Sequence, residues 1–275
     1  PSESVARELR QRGVIASIEA LPTGIDVEFL AAGDRGRWRQ WAGIPADAFV
    51  VGFVSRIAPE KNMEFLTEAV ATYLQKERRA HFFLIGTGPS ENEVREALWQ
   101  RGLGDRVHAF GVLRGKQLVD AYHAMDVFAF ASHTETQGMV VAEAMAAGVP
   151  VVALDANGIR EVVEHGTNGR LLPSEDIEAF SSALHWVAGL QGEERAALKE
   201  NARITARRFS KKRCARRALD CYTTLLDKGC VYERAEDRPL DEIRRVIKAE
   251  WDLILTKTRA TSAAVGSLPP DTTGG

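Results

Sequence analysis

Two glutamates stand eight positions apart in the stretch ETQGMVVAE, Glu135 opening it and Glu143 closing it. The turn-like ETQG separates an apolar run, VFAFA, from an apolar helical pattern, MVVAEAMAAG. A carboxylate buried in such a place is costly unless donors surround it. If a helix begins near Gly138, Glu143 falls about a turn and a half inside it, and the two acids can face one crevice from different depths. The first amides of that helix would aim at the same crevice and favour anionic oxygens. Two carboxylates accept from hydroxyls, so they suit the holding of polyols such as a sugar and a ribose better than a pair of phosphates. Taken alone, Glu135 would pass for an ordinary capping acid. Glu143 is harder to dismiss, because its neighbours VVA and AMAAG look buried.

Three further turns carry cations or glycines. After VVGFV comes SRIAPEKN, with Arg56 and Lys61 in the turn and Pro59 stiffening it. A guanidinium fork and an ammonium point charge together suit a diphosphate, although either alone reads as an ordinary solvated cation. After HFFLI comes GTGPSE, where Gly86 and Gly88 begin a G-x-G-x-x-G pattern whose third glycine is replaced by Glu91. The next strand ends in HAFG and offers no acid for a ribose, so a nicotinamide or flavin site is a poor reading. These glycines instead permit a tight turn or the close approach of a flat ring. After RVHAF comes GVLRG, in which Gly111 leaves room for a nucleobase beside Val112 and Leu113, or makes a plain turn.

A sheet must hold these turns together. The runs VVGFV (50–54), HFFLI (81–85), RVHAF (106–110), VFAFA (127–131) and PVVAL (150–154) alternate with helical stretches, and RLLP (170–173) adds a sixth strand. Strands that are nearly all apolar are buried on both faces, as in a parallel sheet covered by helices on each side. The expected fold is therefore α/β, a doubly wound, Rossmann-like parallel sheet with extra C-terminal helices. Ligands of such sheets bind at the carboxyl ends of the strands, where all four turns lie. Ser90 is expected to cap the helix SENEVREALWQRG and Gly102 to close it. Residues 1–19 predict a helix, SESVARELRQRG, and a strand, VIASIEA. After residue 174 helices are expected over 175–190, 193–208, 211–228 and 240–257. The final TSAAVGSLPPDTTGG lacks apolar periodicity and reads as disordered.

Composition narrows the classes of function. The 275 residues are 45% apolar and 27% charged, ordinary values for a soluble globular protein. No apolar stretch approaches the ~20 residues of a membrane-spanning helix, no signal-type core is evident, and a cytoplasmic location is expected. A net charge of −2 argues against nucleic acid as a partner. The charge is uneven: residues 194–217 hold ten Lys or Arg against two acids, Glu194 and Glu200. That run reads as a solvated helix face and domain contact, with attraction to anionic lipid at the inner membrane face as the alternative. Cys214, Cys221 and Cys230 form neither a disulfide framework nor a zinc site.

Taken together, S-R-x-x-P-E-K-N, G-x-G-P, E-T-x-G-M-x-x-x-E-A-M-A-x-G-x-P-V-V-A and G-x-x-E-x-x-x-x-G-x-N-G resemble the C-terminal, donor-binding half of retaining glycosyltransferases of family 4. The match runs from about LPTGID to about RLLP. The resemblance implies a GT-B enzyme, with two Rossmann-like domains facing each other across a cleft, and a nucleotide-diphosphate sugar as donor. By position, Arg56 and Lys61 would hold the diphosphate and stabilise it as leaving group. Glu135 would contact the sugar hydroxyls, with the amides of Gly138, Met139 and Val140 along sugar and phosphates. Glu143 would take the ribose, and Gly111, Val112 and Leu113 would lie near the base, with Gly86 and Gly88 among the donor-binding positions and base choice depending on the backbone near Gly88 and Gly111. Gln137 stands where many relatives have Phe. No cofactor and no metal is expected, in keeping with the absence of a D-x-D motif. The acceptor, a saccharide or a lipid, is not legible.

The resemblance also implies a partner domain. Family members carry an N-terminal acceptor domain, of which residues 1–20 would be a remnant, with 21–209 the nucleotide-sugar domain, 210–257 helices returning toward the missing domain and 258–275 a disordered tail. No histidine can be assigned that domain's catalytic role; His133 alone lies near Glu135 in sequence. The leading expectation is hexosyl transfer with retention, from a chain that is only the donor half and turns over little by itself. The alternatives are a nucleotide-sugar-binding module without independent catalysis and a GT-B-type nucleotide-sugar epimerase.

Overall fold

A computed structural model describes residues 2–227. Six parallel strands, β1 (Phe49–Val54), β2 (Ala80–Ile85), β3 (Val107–Gly111), β4 (Val127–Phe130), β5 (Val151–Leu154) and β6 (Gly169–Leu172), form one sheet in the order β3-β2-β1-β4-β5-β6. The strand order reverses between β1 and β4, and that reversal opens a crevice at the carboxyl edge. All six expected strands are present, each within a residue or so of its expected bounds. β1, β2, β4 and β5 are buried on both faces, as their unbroken apolar runs require, whereas every residue of the edge strand β3 is half-buried.

Helices cover the sheet as two sets. Helices α5 (Glu91–Gln100) and α8 (Ile177–Gly189) each pack on α4 (Met63–Lys76). The second set comprises α2 (Val27–Ala31), α3 (Arg35–Trp41), α6 (Gly115–Ala124), α7 (Met139–Ala146) and α9 (Gly192–Arg208). Packing is close enough to dictate residue type. A Cβ added to Gly52 in β1 would lie 2.1 Å from the sulfur of Met125, so a side chain there would displace the core.

Two local expectations fail. VIASIEA forms no strand: Ile15 is fully exposed, and no described strand runs beside the segment. Alternating apolar residues become a strand only when a neighbour supplies the ladder. Ser90 occupies the position before α5, but its side chain makes no capping bond. Its amide donates instead to the Ile57 carbonyl at 3.1 Å, because the turn is built to meet its neighbour and not to end a helix. Gly102, at φ 71°, does follow the C-terminus of α5.

Residues 1–220 form one compact unit, which takes in α1 (Glu3–Gln11) and most of α10 (Lys211–Asp227). The amides of Glu3 and Ser4 donate to the carboxylate of Glu161, at 3.0 and 2.6 Å. From Cys221 the chain belongs to a second unit, described only to Asp227. The expected helix 240–257 and tail 258–275 lie outside the described residues.

Candidate functional site

The carboxyl edges of β1 and β4 converge because these strands are neighbours. Behind β1, Pro59–Lys61 makes a single 3-10 turn that ends at Asn62 in the left-handed region, φ 54°. Lys61 Nζ lies 3.2 Å from Glu135 Oε2, and both side chains are about five-sixths buried (17% and 16% exposed). The same ammonium sits 5.5 Å from the centre of the Phe130 ring. Ser132 Oγ donates to the Glu60 carbonyl at 3.1 Å, tying the turn after β4 to the turn after β1. Arg56 lies in the first turn, largely exposed, with one nitrogen on Glu60. Arg56, Lys61 and Glu135 therefore share one edge of the sheet.

Glu135 is held from both sides. Its Oε1 faces the amides of Thr136, Gln137 and Gly138 at 3.1, 3.4 and 3.3 Å. The Gly138 amide is thus occupied within the chain. Those of Met139 and Val140 precede the first bond of α7, from the Ala142 amide to the Gly138 carbonyl at 3.0 Å, and so have no intrahelical acceptor. Gly138 is left-handed, φ 68°. Opposite it, a Cβ on Gly158 would come within 2.7 Å of the Gln137 amide nitrogen. Gln137 turns toward the chain's own LPTG turn, accepting from the Thr23 amide at 2.9 Å.

Glu143 projects from inside α7 and accepts from the Tyr122 hydroxyl at 3.0 Å. Burial pushes its carboxyl above the usual range, and the Tyr122 bond pulls in the opposite direction. Burial, followed by the Glu143 charge, holds the Tyr122 phenol protonated. Tyr122 was not foreseen, because nothing in GKQLVDAYHAM signals which residue meets the next helix. Gly158 opens the G-x-x-E motif, but nothing in that motif signals its contact with Gln137, and Thr23 carries no signal either; both contacts join turns far apart in the chain.

The glycines separate into two kinds. A Cβ on Gly86 would stand 1.9 Å from the Ser55 carbonyl oxygen, and one on Gly88 would stand 2.1 Å from that of Ile57. Both therefore let the second turn pack on the first, where the Ile57 amide donates to the Thr87 carbonyl at 3.0 Å. Gly111, at φ 65°, has open space where a side chain would be. A cavity of about 290 Å³ lies here, lined by Arg56, Gly86, Thr87, Val112 and Leu113 among others. Val112 is more than half exposed. His133 turns away to Glu175, 3.0 Å distant.

The site thus offers two cations, a fixed carboxylate and an apolar recess on one sheet edge, with a second carboxylate held on a buried tyrosine inside the adjoining α7. The family of glycosyl transferases group 1 matches residues 34–205. The chain belongs to that family. Among curated members it is 35% identical over 215 residues to the D-inositol 3-phosphate glycosyltransferase of Saccharomonospora viridis, covering 75% of this chain and 50% of that protein. To its namesake from Actinosynnema mirum it is 34% identical over 216 residues, covering 75% and 52%. The chain spans about half the length of these family members. Among solved structures, Anabaena Alr3699/HepE in complex with UDP and glucose superposes with a TM-score of 0.73 at 27% identity, over 82% of this chain and 62% of that one. The C-terminal domain of LpcC, a glycosyl transferase group 1 family protein from Francisella tularensis, shares the fold at TM-score 0.59 and 23% identity, over 67% of this chain and 97% of that domain. The fold is that of the C-terminal domain of GT-B glycosyltransferases.

Among the described residues no helix is long and apolar enough to cross a membrane. The basic run is largely paired within the chain. Arg195, Arg203, Arg207, Arg208, Lys211 and Arg217 each contact an acid, namely Asp126, Glu200, Glu200, Glu164, Asp26 and Glu19.

Proposed function

We propose that this chain is the donor-binding half of a retaining hexosyltransferase of family 4, using a nucleotide-diphosphate sugar. The observation that carries the reading is the Lys61–Glu135 pair at 3.2 Å, on the same edge as Arg56, which itself lines the open recess with Val112 and Leu113. A nucleoside would enter the recess over Gly111, Val112 and Leu113, with its ribose on Glu143. The diphosphate would run past Arg56 and Lys61 toward the amides of Met139 and Val140. Glu135, fixed by Lys61 and by the amides of its own turn, would take hydroxyls of the hexose. As the glycosidic bond breaks, negative charge grows on the departing diphosphate. Fixed cations aimed at developing charge stabilise the transition state more than the ground state. The reaction so written calls on no metal ion and no cofactor.

Family members named for inositol 3-phosphate, and HepE solved with UDP and glucose, support a nucleotide-sugar donor. Titration calorimetry with UDP-, GDP- and ADP-glucose tests the proposal. Saturable binding of one of them, lost in Lys61→Ala, is expected; no heat from any of the three would overturn it. Retention is tested separately by the anomeric configuration of product, read by NMR, from a chain that includes the acceptor half.

A second reading is a nucleotide-sugar-binding module that transfers nothing by itself, supported by the candidate donor residues all lying within the matched segment 34–205. Under it the chain keeps donor affinity and shows no turnover with any acceptor. Robust product from this chain alone would exclude it.

A further inference from the structure

At the amino edge of the sheet, opposite the candidate site, three arginines meet one buried carboxylate. Asp126, 1% exposed, stands immediately before β4. Its Oδ1 accepts from Arg35 at 2.8 Å and Arg195 at 2.6 Å, and its Oδ2 from Arg39 at 2.7 Å and the Val50 amide at 2.9 Å. Lys199, one turn beyond Arg195 on α9, is half-buried among the same charges. Burial first, then Arg195, brings its ammonium down to about 8. A second carboxylate, Glu77, lines the same space and lies 3.3 Å from His185. Four cations thus face two carboxylates.

The arginines differ in what they leave available. Arg39 is sealed in, its remaining donors on the carbonyls of Ala124 and Ala48. Arg35 and Arg195 are each about one-third exposed and line a cavity of about 310 Å³; Arg35 gives one nitrogen to Asp126 and the other to the carbonyls of Met125 and His123, at 3.2 and 3.5 Å. Arg195 gives one nitrogen to Asp126, and the rest of its fork has no acceptor among the described residues. At the rim, Arg79 and Asp47 satisfy each other at 2.7 Å. Tyr73 lines the same cavity, and its fully buried hydroxyl has no hydrogen-bond partner among the described residues. Burial, with the charges of Glu77 and Asp126, keeps that phenol protonated, so it remains a donor.

We propose that this cavity binds a phosphate group, carried as inorganic phosphate or as a small phosphomonoester, on the unengaged side of the Arg195 fork, with the partly exposed guanidinium of Arg35 beside it. A doubly charged oxyanion offsets the excess of two positive charges. Its tetrahedral oxygens suit guanidinium forks better than chloride or a single carboxylate would. The cavity holds about ten waters' worth of space, at ~30 Å³ each, which leaves room for an organic group on the phosphate. It lies a strand's length, about 20 Å, from the donor turns. It is therefore a second site and not an extension of the first.

Thermal unfolding of the whole chain, titrated with sodium phosphate against sodium chloride at equal ionic strength, tests this. A saturable rise in Tm with phosphate beyond that with chloride is expected. Arg195→Gln, and separately Arg35→Gln, should weaken the apparent phosphate affinity tenfold or more, also when made in a Lys61→Ala background that silences the donor turns. Glucose 6-phosphate run in parallel distinguishes the two sources: tighter response than phosphate assigns an organic group, equal response assigns the free ion. Indistinguishable phosphate and chloride curves overturn the proposal. So does a response that survives both arginine substitutions but vanishes in Lys61→Ala, because the ion would then occupy the donor turns. Should both arginine variants fail to fold, calorimetry of phosphate into Lys61→Ala decides, and an absence of binding heat there counts against the site.

Discussion

The two edges of this sheet use charge in opposite ways. At the amino edge, Asp126 and Arg39 are nearly invisible to solvent, 1% and 3% exposed, and every oxygen of the carboxylate is matched by donors from α3, α9 and β1. At the carboxyl edge, Lys61 and Glu135 keep about one-sixth of their surface in water, and Arg56 most of its own. Breaking a sealed pair strands a charge in low dielectric, whereas at the carboxyl edge water still reaches both partners and Glu135 keeps three backbone amides when Lys61 is removed. The amino edge should therefore govern stability and the carboxyl edge binding.

Asp126→Asn puts the first half of that contrast at greatest risk. It leaves Arg39 buried without a counter-charge and should cost about 3–5 kcal/mol in urea unfolding. A loss under about 1 kcal/mol would mean that the network is not structural. Lys61→Ala is the mirror test. It should weaken UDP-glucose binding by calorimetry at least tenfold, about 1.4 kcal/mol, while shifting unfolding by no more than about 1 kcal/mol. Affinity left intact alongside reduced stability would reverse the assignment of the two edges.

A smaller effect comes from the pair His81 and His108, whose ring nitrogens are 3.0 Å apart where β2 meets β3. Burial, then the His108 charge, brings His81 from 6.5 down to about 4. The folded state then binds fewer protons than the unfolded state between those values. Stability is full above pH 6.5 and falls as the pH drops toward 4. The loss should be on the order of 1–2 kcal/mol after solvent screening, and His81→Asn should flatten that limb of the stability–pH curve. Smallest of all is any attraction to lipid. With six of the ten cations of the basic run paired internally, sedimentation with anionic vesicles should be weak and vanish at raised salt. Strong, salt-resistant sedimentation would point to an apolar membrane contact instead.

The strands were legible because each is a short, wholly apolar run, and a strand buried on both faces has no other way to satisfy its side chains. The turns that bear Arg56, Lys61, Glu135 and Gly111 were legible for the same reason, since a parallel sheet sends the ends of its strands to one edge. The roles of the glycines were only half legible. Gly86 and Gly88 invited a ligand reading, yet their missing side chains make room for the neighbouring turn's carbonyls. Nothing in GTGPSE says which backbone will lie against it. The segment VIASIEA had the pattern of a strand and no ladder to join. Tyr122 beneath Glu143, Thr23 on Gln137 and the three arginines on Asp126 join residues 21 to 114 positions apart.

The order of apolar runs and turns, which depends on local composition and on the need to bury surface, determined by itself the sheet, its parallel sense and the edge on which the candidate donor site sits. The tertiary structure alone decided which donors surround each buried acid, which glycines are spacers, and that unbalanced positive charge gathers at the far edge. Those outcomes depend on distances between elements that pack from separate parts of the chain, and an electrostatic interaction that falls off with distance and dielectric leaves no periodic trace in the sequence.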